Sequence, residues 1–172
     1  MVFYLILQAL WFIWPAYCAN AFPPLMKGKR PLDFDKNLGK NRFLGDSKTI
    51  EGTIGGVLFG VAIGLVQTKI YGYIPKDTGF FEFTIPIIVL LSVGALFGDI
   101  VGSFIKRRLA MEPGDPAFLL DQLGFLVFAL IFASFIYIPQ VLTIIILLII
   151  TPVVHVGTNI LGYFLKLKKH PW

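Results

Sequence analysis

The sequence predicts an all-α integral membrane protein with five transmembrane helices, its N-terminus outside and its C-terminus cytoplasmic. Three observations carry this reading. Of the 172 residues, 56% are hydrophobic, and the mean hydropathy is +0.79, a composition that belongs to membrane proteins. Five apolar stretches, roughly 1–22, 52–74, 84–105, 119–138 and 141–165, reach the length of about 20 residues needed to cross a bilayer. The cationic residues lie to one side of those stretches. Lys27, Lys29, Arg30, Lys36, Lys40, Arg42 and Lys48 separate the first two; Lys106, Arg107 and Arg108 follow the third; Lys166, Lys168 and Lys169 follow the fifth. Only Lys69 and Lys76 fall near the opposite ends, so the loops 23–51 and 106–120 are expected on the cytoplasmic face. The net charge of +5 follows from this bias plus anion binding on one face, and makes no case for nucleic acid. Cys18 is the single cysteine, so disulfides play no part.

The first stretch ends Ala19-Asn20-Ala21, which looks like a small-residue cleavage site. It lacks a positive leading region, and its cations come after it, so it reads as a retained helix rather than a signal peptide. Asn20 at its cytoplasmic end is either an interfacial cap or a site contact. The loop 23–51 is long for so short a chain, and such loops are usually functional or disordered. It ends Leu44-Gly45-Asp46-Ser47-Lys48-Thr49-Ile50-Glu51-Gly52-Thr53 where the second helix begins. A helix start offers unpaired N–H groups and a positive dipole end. Gly45 for close backbone approach, Lys48 for charge and Thr49 or Thr53 for hydroxyls add the other parts of a phosphate cradle. The plainer reading is a capped helix with positive-inside lysines. The Walker A spacing is absent.

Gly52, Gly56, Gly60 and Gly64 in the second stretch, and Gly94, Gly98 and Gly102 in the third, recur every four residues. Small residues at this spacing let membrane helices approach closely. The two ribbons are expected to face each other, bringing Lys48 and Thr49 near Asp99 and Lys106. The connection 75–83 reads as a turn only.

The third stretch ends in Gly98-Asp99 and then Ser103 and Lys106-Arg107-Arg108. A charge near bilayer depth costs roughly 2.5–3.5 kcal/mol on insertion scales. Asp99, Gly102, Ser103 and Lys106 share one helical face, which therefore meets protein or a wet cavity. A buried Asp99–Lys106 or Asp99–arginine pair that only fixes packing is the plainer alternative. Pro113 and Pro116 keep Glu112-Pro113-Gly114-Asp115-Pro116 out of a helix, leaving Asp115 on a loop beside the membrane. Asp121 opens the fourth helix. In the fifth, His155, Thr158, Asn159 and Gly162 share a face, read as an interhelical hydrogen-bonding stripe, and Lys166, Lys168, Lys169 and Trp172 read as an anchor. No HExxH, nucleophile elbow, CxxC pair or internal repeat occurs, and His155 and His170 are too far apart for a histidine metal site.

Asp99, Asp115 and Asp121 are hard oxygen donors beside cations. Such donors suit Mg²⁺, held by one or two carboxylates plus substrate phosphates. Acids for metal, a basic loop for phosphates and a membrane setting together imply phosphoryl or nucleotidyl transfer to a lipid, catalysed by positioning and charge neutralisation. The residues alone do not name the nucleotide.

The run Gly98-Asp99-x₃-Ser103-x₂-Lys106-Arg107, then Pro113-Gly114-x₆-Asp121, resembles the signature of the CTP-transferase (phosphatidate cytidylyltransferase) family. Asp115-Pro116-Ala117 stands where that pattern has His-Gly-Gly, and Gln122 where it has Arg. With Gly45-Asp46-x-Lys48-Thr49-x-Glu51-Gly52 and Leu120-Asp121-Gln122-Leu123, the chain is more similar to the archaeal branch, the CDP-archaeol synthases. The similarity runs from Asn20 to the fifth helix.

The resemblance implies one transmembrane catalytic domain over 1–172 in the cell membrane, its site on the cytoplasmic side. The implied reaction joins CTP to a prenylated glycerol-phosphate ether lipid, 2,3-bis-O-geranylgeranylglycerol 1-phosphate, giving the CDP-lipid and pyrophosphate with Mg²⁺. Asp99 and Asp121 would hold metal, with Asp115 a third ligand or a contact to the base. Lys106, with Arg107 or Arg108, would neutralise developing charge. Gly45, Asp46, Lys48 and Thr49 would cradle the triphosphate or meet the cytosine, with Asn20, Lys40, Arg42, Gly52, Ser103, Glu112, Pro113 and Gly114 as further substrate contacts. Apolar grooves between helices would take the prenyl chains, and an oligomer is compatible with the sequence. The alternatives are a CTP-dependent lipid kinase of the same broad family and a small membrane transporter.

Overall fold

A computed structural model of the chain describes residues 2–112 and 115–166. Pro113, Gly114, Lys168, Lys169 and Trp172 lie outside them. The elements run α1 (Val2–Ala21), one-turn α2 (Pro23–Met26), the hairpin β1 (Asn37–Leu38) and β2 (Asn41–Arg42), α3 (Ile50–Tyr71), a 3₁₀ turn (Lys76–Thr78), α4 (Ile85–Arg108), α5 (Leu120–Ala133) and α6 (Val141–Phe164). The five expected apolar helices are all present. Four spans, α1 continued through α2, α3, α4 and α6, are long and apolar enough to cross a membrane. The fourth apolar segment is shorter than its hydropathy predicts. Helix α5 has 14 residues, about 21 Å at 1.5 Å per residue, and residues 134–140 continue as turn and irregular chain. Pro139 accounts for part of this, since a residue before proline disfavours helix.

Helix α4 is the centre of the bundle, with Ile87, Ile88, Leu91, Ser92 and Ala95 almost fully buried. The glycine ribbons serve this helix differently from the expectation. They do not face each other. On α3, a Cβ at Gly56 would meet the Ala19 carbonyl of α1 and Leu96 of α4, and one at Gly60 would meet the Pro15 carbonyl and Ser92. On α4, Gly94 lies against Phe128, Ala129 and Phe132 of α5, and Gly98 against Gly124 and Phe125. Ser92 and Leu96 stand one turn apart on one face of α4, and Gly94 and Gly98 lie on another, so one helix presents two close-packed faces.

Residues 75–83, read as a turn only, also seal the end of the bundle away from the charges. Gln8 Nε2 donates to the Thr78 carbonyl at 2.7 Å and Trp11 Nε1 to the Phe81 carbonyl at 3.0 Å. Phe12, Phe81, Phe83 and Tyr137 pack ring on ring there, with centroids 4.6–6.5 Å apart.

Candidate functional site

Most of the charged residues gather at the opposite end. Helix α4 remains helical through Arg108, which keeps Asp99, Ser103 and Lys106 on one face. Asp99 pairs with neither Lys106 nor an arginine; two ion pairs that cross elements form instead. Lys48 Nζ, from the loop before α3, lies 2.5 Å from Asp99 Oδ2. Lys106 Nζ, from α4, lies 2.7 Å from Asp121 Oδ1 at the start of α5. All four side chains are mostly covered but open to solvent, at 13–32% exposure. Asp99 and Asp121 stand at neighbouring levels of one seam, because Gly98 packs on Gly124 and Gly102 faces Leu120. Ser103 is buried beside them on α4. Partly buried ion pairs are weak stabilisers because desolvation offsets their attraction. Their chemical value is that an incoming polyphosphate can replace a carboxylate as the lysine's partner.

Asp115 lies at the same lysine as Asp121, but its carboxylate turns to its own loop. Its Oδ2 accepts the Glu112 N–H at 2.6 Å, and its carbonyl accepts from Lys106 at 3.3 Å. Asp121 Oδ2 accepts the Ala117 N–H at 2.9 Å. Among the described residues no three His, Cys, Asp or Glu side chains come together as a metal-binding group. Asp99 and Asp121 are hard oxygen donors, each facing a lysine, and a divalent ion there would need substrate phosphate oxygens to complete its shell.

The loop 23–51 is ordered by its own contacts. Leu32 N–H donates to the Lys48 carbonyl at 2.7 Å and Ile50 N–H to the Arg30 carbonyl at 2.9 Å, running the two strands antiparallel. Gly39-Lys40 is the two-residue turn of the hairpin, Gly39 at φ +68°, and Lys40 is exposed at its tip. Arg108 ties the hairpin to α4, donating to the carbonyls of Leu38 and Arg42 at 2.8 and 2.6 Å while lying over Phe104. Asn41 Nδ2 donates to the Arg107 carbonyl at 3.0 Å. Arg107 is buried and donates to the Glu112 carbonyl at 3.0 Å. Thr49 caps α3, its Oγ1 accepting the Gly52 N–H at 3.1 Å.

One residue at the hub of this loop was not singled out by the sequence. Asp33, its side chain 1% exposed, accepts from Arg42 and from the Leu44 and Gly45 N–H groups. Burial pushes its carboxyl up, but the Arg42 guanidinium and these two amides outweigh that and hold it well below the usual carboxylate range. Arg42 also meets Asp46 at 2.9 Å and Asp35 at 3.0 Å, so this expected nucleotide contact has its charge engaged within the loop. No local spacing separates Asp33 from Asp35: besides the Asp35 N–H itself, the side-chain partners of Asp33 lie 9 to 12 residues further on.

A cleft of about 330 Å³ opens between α1, α5 and α6. Its walls are mostly apolar, with Tyr17, Asn20, His155 and Asn159 as polar points. Phe125 forms part of it one helical turn after Asp121, so the cleft approaches the charged seam. The Oδ1 of Asn20 is enclosed there without a hydrogen-bond partner among the described residues. The predicted stripe on α6 lines this cleft, and Thr151 of the same helix lies 2.6 Å from the Tyr17 hydroxyl of α1.

Comparison with known proteins fits this arrangement. The sequence model of the CarS-like, CDP-archaeol synthase family matches residues 2–172. A CDP-archaeol synthase of Pyrococcus furiosus is 46% identical over 168 residues, 97% of this chain and 98% of that protein. One from Methanococcus maripaludis (strain C7) is 46% identical over 173 residues, 98% of this chain and 97% of that protein. A solved structure described as an intramembrane enzyme for archaeal membrane lipids biosynthesis superposes with a TM-score of 0.78 at 36% identity, covering 90% of this chain and 94% of that one. Full-length similarity of this order, carried by the same helical architecture, makes the chain a member of the CDP-archaeol synthase family.

Proposed function

We propose that this chain is a CTP-dependent cytidylyltransferase that makes CDP-archaeol from CTP and 2,3-bis-O-geranylgeranylglycerol 1-phosphate at the cytoplasmic face of the membrane. The observation that carries the proposal is the pair of ion bridges Lys48–Asp99 and Lys106–Asp121, which bring three elements together at one end of an apolar bundle. The CTP triphosphate lies along Lys48 and the start of α3. A phosphate oxygen of the lipid attacks the α-phosphorus, the bond from that phosphorus to the bridging oxygen breaks, and pyrophosphate leaves with the electron pair. The attacking phosphate is already anionic at neutral pH, so no residue has to remove a proton. Lys106 exchanges Asp121 for a phosphoryl oxygen and neutralises charge as it develops. Asp99 and Asp121 would hold a Mg²⁺ ion, which would supply further charge neutralisation at the phosphates.

The cleft between α1, α5 and α6 suits a prenyl chain. It is largely apolar, its volume of about 330 Å³ is of ligand-pocket size, and its α5 wall leads to Asp121. A chain lying there brings its headgroup to the charged seam. Pyrophosphate release by the purified protein tests the reading. Release should require both CTP and the ether-lipid phosphate, and release of CDP in place of pyrophosphate would overturn it.

A further inference from the structure

Lys48 reaches Asp99 from the end of a short turn, Leu44–Lys48, and α3 itself does not hold the start of that turn. Two consecutive residues upstream do. Leu32 N–H grips the Lys48 carbonyl at 2.7 Å, fixing one end. Asp33 Oδ2 accepts the N–H of Leu44 and Gly45 at 2.9 and 3.0 Å, fixing the other. Within the turn, Lys48 N–H closes on the Gly45 carbonyl at 3.3 Å, and Gly45 takes φ +93°, where a side chain is strained. Arg42 balances the buried Asp33 charge with a fork of two N–H groups, 2.7 and 3.3 Å away.

We infer that Asp33, with Arg42 as its counter-ion, is a positioning residue for the nucleotide: it presets the Leu44–Lys48 turn so that Lys48 and the Gly45 backbone meet the triphosphate. Arg42 then acts through Asp33 and does not itself touch CTP. The inference rests on the cytidylyl-transfer reading. Other contacts keep the rest of the loop docked without Asp33, namely the Arg30–Ile50 and Leu32–Lys48 pairs and the grip of Arg108 on the hairpin. Loss of Asp33 therefore loosens one turn and leaves the bundle and the lipid cleft in place.

The test is steady-state kinetics of the full chain in lipid vesicles, varying CTP and the ether-lipid phosphate separately. Asp33→Asn keeps the shape but removes the charge and turns an NH₂ group either toward the Arg42 guanidinium or toward the Leu44 and Gly45 N–H groups. It should raise KM for CTP by about tenfold or more, as expected for losing hydrogen bonds to a charged group. KM for the lipid phosphate should stay within about twofold in the folded variant, whatever Tm is lost with the buried charge pair. Arg42→Lys, which keeps the charge but loses the fork, should show the same split. The double variant should be no worse than Asp33→Asn alone, because the two residues act as one device. Equal increases in both KM values, a fall in kcat with unchanged KM for CTP, or independent multiplication in the double variant would overturn the inference. If Asp33→Asn does not fold, Arg42→Lys carries the test; failure of both to fold assigns the pair to fold support and overturns it too. A wild-type protein without CTP turnover would instead refute the underlying reading.

Discussion

Gly98 gives the sharpest mechanical test of the seam that carries the two acids. An alanine Cβ there would stand 2.5 Å from the Gly124 carbonyl oxygen and 2.8 Å from Phe125 Cα. Both obstacles are backbone, so no rotamer change relieves them. To regain an ordinary contact of 3.4 Å, α4 and α5 must part by about 0.9 Å. Overpacking of this kind costs about 1–3 kcal/mol. The same movement displaces Asp99 relative to Asp121, and a misplacement near 1 Å lowers turnover by about a hundredfold. Gly102, one turn further along the same ribbon, is a built-in control. Its Cβ would meet only Leu120 Cγ at 3.8 Å and the Leu120 carbonyl at 3.9 Å, which is ordinary contact. Gly98→Ala should therefore lose both stability and CTP turnover, measured by thermal unfolding and product formation, while Gly102→Ala stays close to wild type in both. Wild-type turnover in Gly98→Ala, or equal losses in the two variants, would refute the claim that this seam sets the spacing of the acids.

Further expectations concern the charges and the cap. Asp99→Asn and Asp121→Asn should each lower turnover by about a hundredfold or more while leaving the protein folded; retained activity in both would remove them from the site. Thr49→Ala deletes the acceptor for the Gly52 N–H and should destabilise α3 by about 1 kcal/mol, read as a lowered Tm. Because the folded Asp33 carboxyl lies below its unfolded value of about 3.9, its contribution is complete at neutral pH and is lost only as pH falls through the folded value. Protection of the Leu44 and Gly45 amides from hydrogen exchange, corrected for intrinsic rates, should thus be unchanged from pH 7 down to about pH 5. Loss of protection already within that window would contradict the assignment.

The sequence disclosed the helices because bilayer thickness forces long apolar runs, and it disclosed the acids because a charge at the edge of such a run demands a reason. It also led to the meeting of Lys48 with Asp99, although by a wrong route. The glycine ribbons were expected to face each other, and spacing alone does not say which neighbour a small-residue face meets. Helix α4 uses its ribbon against α5 and another face against α1 and α3. The orientation of Asp115 is equally invisible in the sequence. Asp115 lies close in sequence to the other acids, but its carboxylate turns back on its own loop. Asp33 was passed over because its significance depends on partners a hairpin away. The end of α5 at Ala133 and the aromatic seal at residues 80–83 likewise depend on packing that hydropathy does not record.

If acids and cations from separate spans form one site, that site moves a nucleotidyl group onto a lipid. CTP carrying distinguishable labels at the α- and γ-phosphorus, given to the protein with the ether-lipid phosphate, tests it most directly. α-Label should appear in the lipid product and γ-label in pyrophosphate; γ-label in the lipid, or a lipid with neither, would rule out nucleotidyl transfer.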